Sequence, residues 1–142
     1  MPDHILGALR SSPTLALLSL GREWKRRFAS DLTSLELTPR QFAVLCDLWE
    51  SPGLSISDVG RSHGVSVQSA HSIVAGLKQR GLVVAEQHRP GASANLLLTE
   101  GGLALLRQAA AVAQQLDAQF TQLHPSMPPA LFRAVQIEED LR

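Results

Sequence analysis

The stretch from Ser55 to Thr99, SISDVGRSHGVSVQSAHSIVAGLKQRGLVVAEQHRPGASANLLLT, decides the fold, because its hydrophobic period changes once, at Gly81. Ser55 with Asp58 three residues on is a short-reach capping box, and it predicts a helix to His63. Gly64 ends that helix, since a residue without Cβ accepts the backbone angle of a tight turn. Ser66 caps a second helix that runs to Arg80 and stops at Gly81. Its apolar positions Val67, Ala70, Ile73, Val74 and Leu77 predict a buried stripe, which turns Gln68, Ser69, His71 and Ser72 outward. Beyond Gly81 the pattern is extended: Leu82 to His88 and Asn95 to Thr99 read as strands, joined by a flexible tip from Arg89 to Ala94. Two helices about a tight turn, followed at once by a hairpin, outline a winged helix-turn-helix: mostly α, with a small β-hairpin wing.

Working outward, the remaining chain is helical. Ser12-Pro13 and Thr38-Pro39 each pair an N-cap with a proline at the first helical position. The first opens a long helix marked by Leu17, Leu20, Trp24 and Phe28, with a short helical piece around Ile5, Leu6 and Leu9 before it. The second opens Arg40 to Glu50, where Phe42, Leu45, Leu48 and Trp49 form the apolar stripe. Thr99 caps a long helix in which Leu106, Ala109, Ala113, Leu116, Phe120 and Leu123 recur three and four apart, the seam of a helix packed lengthwise. Pro125, Pro128 and Pro129 separate it from a last helix around Leu131 to Leu141.

With 142 residues, 44% of them hydrophobic, the chain holds about one domain's worth of core without a disulfide or metal staple. Thirteen basic residues balance thirteen acidic ones, which argues against coating nucleic acid by bulk attraction. The basic residues Arg61, Lys78, Arg80 and Arg89 nevertheless outnumber the acids between Ser57 and Gly91. The lone Cys46, the lack of a secretory leader pattern and the lack of an apolar run near the roughly 18 residues of a membrane span lead to the expectation of a cytoplasmic protein with no membrane partner.

Gln68, Ser69, His71 and Ser72 are short hydrogen-bonding side chains at the start of their helix, the end that a major-groove helix presents to base edges. The alternative is the wet side of an ordinary amphipathic helix. Lys78 and Arg80, at the far end, suit its C-terminal dipole. No metal, cofactor or catalytic set is expected. His4, His63, His71, His88 and His124 lack ligand spacing, and Ser62-His63 and Ser69-His71 are too close in sequence to face each other. Cys46 sits amid apolar neighbours and reads as inert, with oxidant sensing as its other use.

The order of elements and several strings resemble the MarR family of bacterial regulators. Leu37, Thr38, Pro39, Gln41, Phe42 and Leu45 look like that family's opening string. Val65, Ser66, Leu77, Arg80, Gly81, Leu82 and Val83 look like its recognition helix and exit, and Leu98, Thr99, Glu100 and Gly101 like the string after its wing. The resemblance implies a homodimer reading a near-palindromic site in double-stranded DNA, released by a small ligand or an oxidant. It implies a winged DNA-binding part over 37–99 and a helical dimerisation region over 1–36 and 100–142. A small aromatic or amphipathic effector would then sit between these regions, near Trp24, Phe28 and Phe42, for each of which ordinary core is the alternative and favoured reading. The wing departs from the pattern: where the family carries an aspartate and, one residue on, an arginine, this chain has Pro90, Gly91 and Ala92. Arg89, beside His88, is the candidate substitute for groove or phosphate contact, the alternative being an idle surface charge. The expected DNA-facing set is therefore Arg61, Ser66, Gln68, Ser69, His71, Ser72, His88 and Arg89.

A single recognition helix touches few base pairs, so specificity calls for two copies roughly 34 to 36 Å apart. The apolar positions of the terminal helices exceed what one small winged domain needs to cover itself, which points to two-fold pairing, with packing inside one chain as the alternative use. Two rival readings remain: a winged protein-binding or dimerisation module without DNA affinity, motivated by zero net charge and the missing wing arginine, and a fragment of a methyltransferase-type enzyme.

Overall fold

The five predicted N-caps all form, and they set where the helices begin. The computed structural model describes residues 2–141. Ser12, Thr38, Ser55, Ser66 and Thr99 each accept a bond from the backbone N–H three residues on, at 3.3, 3.1, 3.1, 3.1 and 3.0 Å. Each such cap is worth about 1 kcal/mol, because it satisfies a donor that the helix itself cannot. The Thr38 and Ser55 backbone N–H groups donate in return to the side chains of Gln41 and Asp58, completing capping boxes. The elements are α1 (Pro2–Arg10), α2 (Pro13–Leu32), a 3-10 turn (Thr33–Leu35), α3 (Pro39–Glu50), α4 (Ile56–His63), α5 (Val67–Gln79), β1 (Val83–Glu86), β2 (Asn95–Leu98), α6 (Glu100–Leu123) and α7 (Pro128–Asp140).

The strands pair antiparallel from Val83 opposite Leu98 to Glu86 opposite Asn95, and Leu54 adds a one-residue bridge to Leu96. The core lies under this wing. Val44, Leu45 and Leu48 of α3, Val59 of α4, Ala70, Val74 and Leu77 of α5, and Val83 and Leu96 of the strands are all buried. Leu106 and Ala109 of α6 close the same core. Further along, α6 leaves that core and packs against α2, so one helix belongs to both layers. No helix is long and apolar enough to cross a membrane.

Several boundaries and burials differ from the sequence reading. The strands are shorter than expected, ending at Glu86 and Leu98, because Gln87 to Ala94 leave the ladder for a loop. The last helix starts at Pro128, where prolines need no partner for an N–H they lack. Trp49 is 57% exposed, since Leu48 takes the inward direction and its neighbour points about 100° away. Val67, on the expected stripe, is 50% exposed, so the buried face of α5 begins only at Ala70. Leu123 likewise ends the α6 seam in the open.

Candidate nucleic-acid interface

Gly64, at φ 60°, turns the chain between α4 and α5. Gly60 lets the helices close up, for a Cβ there would lie 3.2 Å from the Val65 carbonyl oxygen. With Ala70, Val74 and Leu77 anchored in the core, Gln68, Ser69, His71 and Ser72 are left exposed along the first two turns of α5. The Ser66 hydroxyl donates to Ser69 Oγ at 3.0 Å and the Ser72 hydroxyl to the Gln68 carbonyl at 3.3 Å. The first turn of α5 carries no acidic residue, so nothing cancels the positive end of its dipole. The face combines short polar groups with a helix N-terminus that carries no acid in its first turn.

Arg61 lies on α4, largely exposed, beside Asp58. Asp58 is held below the usual carboxylate range by the Ser55 backbone N–H, then by the Ser55 hydroxyl and by Arg61. In the wing, Gln87 Nε2 donates to the Ala92 carbonyl at 2.8 Å and Gly91 turns at φ 80°, closing the tip. His88 and Arg89 project from that tip, both exposed. Arg80 departs from expectation: instead of serving its own helix end, it donates to the Glu36 and Leu35 carbonyls at 2.7 and 3.1 Å.

Ser62 and His63 do meet a common partner, because both reach Asp47 Oδ2 at 2.8 Å across α3 and α4. The serine donates to the carboxylate rather than to the imidazole, so the two do not form a serine–histidine pair. Among the described residues no group of acids, histidines and cysteine gathers as a metal site. Cys46 is half-buried, and burial, then the Glu50 and Asp47 carboxylates, push its thiol pKa up, away from reactive thiolate.

Behind the winged part, a cavity of about 690 Å³ opens between α2, α3, α6 and α7. Trp24, Phe28 and Phe42 all line it. Trp24 meets Phe120 edge to face at 4.9 Å and Phe28 meets Phe42 at 5.2 Å, so the aromatic walls brace one another. Arg27 lies 4.8 Å from the Trp24 ring and bonds Glu23, whose pKa falls to about 2 beside Arg26 and Arg27. Lys25, Asp117 and Thr121 supply the polar lining. The sequence reading missed these, and no local signal marks them: they come from helices some ninety positions apart.

Ten of the fourteen exposed large hydrophobics among the described residues lie on α1, α2, α6 and α7, including Ile5, Leu17 and Phe132, and Leu141 follows directly after α7. The exposed apolar side chains are thus concentrated on the terminal helices rather than on the winged part.

Comparison with known proteins follows the same outline. A family model described as MarR family matches residues 35–92. The HTH-type transcriptional repressor Rv2887 of Mycobacterium tuberculosis is 32% identical over 107 residues, covering 72% of this chain and 74% of the relative. The crystal structure of Rv2887 in complex with DNA superposes with a TM-score of 0.75 at 26% identity, covering 90% of this chain and 97% of that one. Its complex with salicylic acid gives 0.69 at 26% identity, with 93% and 97% covered. The repressor CouR bound to a 23-mer DNA duplex gives 0.81 at 24% identity, with 96% and 97% covered, a likeness of fold.

Proposed function

Since the chain belongs to the MarR family of winged helix-turn-helix transcriptional regulators, we propose that it represses transcription as a homodimer on a near-palindromic duplex site. The observation that carries this reading is the open polar flank of α5: Gln68, Ser69, His71 and Ser72 stand exposed on a helix whose opposite face is locked into the core. In this reading those residues and Ser66 approach the major groove. Arg89 and His88 approach the minor groove or phosphates in place of the family's usual wing arginine, and Arg61 meets phosphate beside them. The apolar faces of the terminal helices, over 1–36 and 100–142, pair with a second copy and hold the recognition helices about one helical turn apart. The family is one of regulators rather than enzymes, which removes the catalytic-fragment reading.

The cavity under Trp24, Phe28 and Phe42 takes a small aromatic or amphipathic ligand that shifts the dimer away from DNA. Its aromatic walls and the Lys25 ammonium suit an aromatic acid, and the salicylic acid complex of Rv2887 supports that class. Selection of bound fragments from the host genome, followed by gel shifts over a salt series with and without salicylate, tests the whole reading. Specific binding should weaken steeply as salt rises, because phosphate contacts release counterions. A chain that retards no fragment at low salt would instead be a protein-binding module.

A further inference from the structure

Arg80 is the one cation of the winged part that is committed at both donor ends of its fork, and its partners lie 44 and 45 residues away in sequence. They are the terminal carbonyls of the 3-10 turn that continues α2. That helix runs for 20 residues with no basic residue in its last turn. A guanidinium there satisfies carbonyls that the helix leaves unbonded and offsets the negative end of its dipole. Glu36, the acceptor at 2.7 Å, is also the only described non-glycine residue at positive φ, 52°. Such a backbone angle is unfavourable for a residue with a Cβ and persists where neighbours hold it.

The exit of α5 is tied on its other side as well. Thr99, the cap of α6, donates its hydroxyl to the Gly81 carbonyl at 2.6 Å and its N–H to the Leu82 carbonyl at 3.1 Å. Arg80, Gly81 and Leu82 thus join the recognition helix to both α2 and α6, the long helices that the proposed function assigns to dimerisation. Resting on that reading, we infer that Arg80 is a positioning residue for DNA recognition: its tether to Leu35 and Glu36 sets the angle of α5 against the dimer, and so the half-site spacing that the dimer accepts. Its two terminal nitrogens are each engaged by a carbonyl, and the role inferred for it requires no contact with DNA. Lysine cannot replace it fully, since a single ammonium does not match two adjacent carbonyls as a planar fork does.

The test uses the full chain. Wild type selects its preferred site from a library of random duplexes, and that site is rebuilt with one base pair added or removed between half-sites. Each step moves one half-site by about 3.4 Å and about 35°. Wild type should prefer its own spacing by about tenfold or more, the cost of one misplaced contact set. Arg80→Met should narrow this preference to about threefold or less, with Arg80→Lys between, while the dependence on salt stays as in wild type. If Arg80→Met does not fold, Arg80→Lys carries the comparison. Unchanged spacing preference in the variants overturns the proposal. So does a uniform loss of affinity with a salt slope reduced by about 1, the signature of a phosphate contact. A wild type that selects no duplex removes the regulator reading, and this one with it.

Discussion

Two adjacent glycines at the start of α6 should respond to alanine in opposite ways. At Gly102 a Cβ would sit 2.1 Å from the Leu82 carbonyl oxygen and 3.1 Å from its carbon. A carbon and a carbonyl oxygen approach no closer than about 3.3 Å, so α6 must retreat from the root of the wing by roughly 1 Å. The two bonds from Thr99 to Gly81 and Leu82 span that gap and would be lost or stretched. Two such bonds contribute about 2 kcal/mol together, and overpacking adds about 1–3 kcal/mol. Against this, alanine in a helix returns about 0.5–1 kcal/mol. The net loss is about 2–4 kcal/mol, roughly 8–15 °C in Tm for a chain of this size. At Gly101 the nearest atoms would be Thr99 Oγ1 at 3.6 Å and the Gly81 oxygen at 3.8 Å, ordinary contacts. Gly101→Ala should therefore hold or raise the melting temperature by a few degrees. Thermal unfolding followed by circular dichroism, at one fixed protein concentration because a dimer's Tm depends on it, measures both. Equal effects of the two substitutions would refute the close approach of α6 to Leu82.

Gln68→Ala should change which sequences are preferred, whereas Arg89→Ala should lower affinity for all of them and reduce the salt slope by about 1; equilibrium binding to a panel of duplexes separates the two. If the proposed dimer forms through the terminal helices, Phe132→Glu should leave a monomer in analytical ultracentrifugation, since that ring is 74% exposed in the single chain and a charge is costly in an apolar interface. An unchanged sedimentation coefficient would place the dimer contacts elsewhere. Glu23 should titrate near pH 2 rather than at its ordinary 4.5. Its folded pKa is depressed, so the stabilisation it gives is complete above about pH 4.5 and is lost as pH falls toward 2. A carboxyl NMR midpoint near 4.5 would show that Arg26 and Arg27 do not hold it.

The sequence by itself determined the element order, the five caps and the switch from helix to hairpin at Gly81, because capping and periodicity are decided by residues within a turn of one another. It also marked Gln68, Ser69, His71 and Ser72 as the outward flank of α5, since their helix neighbours Ala70, Val74 and Leu77 are apolar. Only the tertiary structure decided how far that buried stripe extends, leaving Val67 and Trp49 outside because a core has edges that a periodic pattern does not. It alone brought Lys25 to the same cavity as Asp117, joined Ser62 and His63 through Asp47, and sent Arg80 to Leu35 and Glu36 rather than to its own helix end. Those contacts join residues far apart along the chain, and a long side chain selects among distant partners by packing geometry, which spacing does not encode.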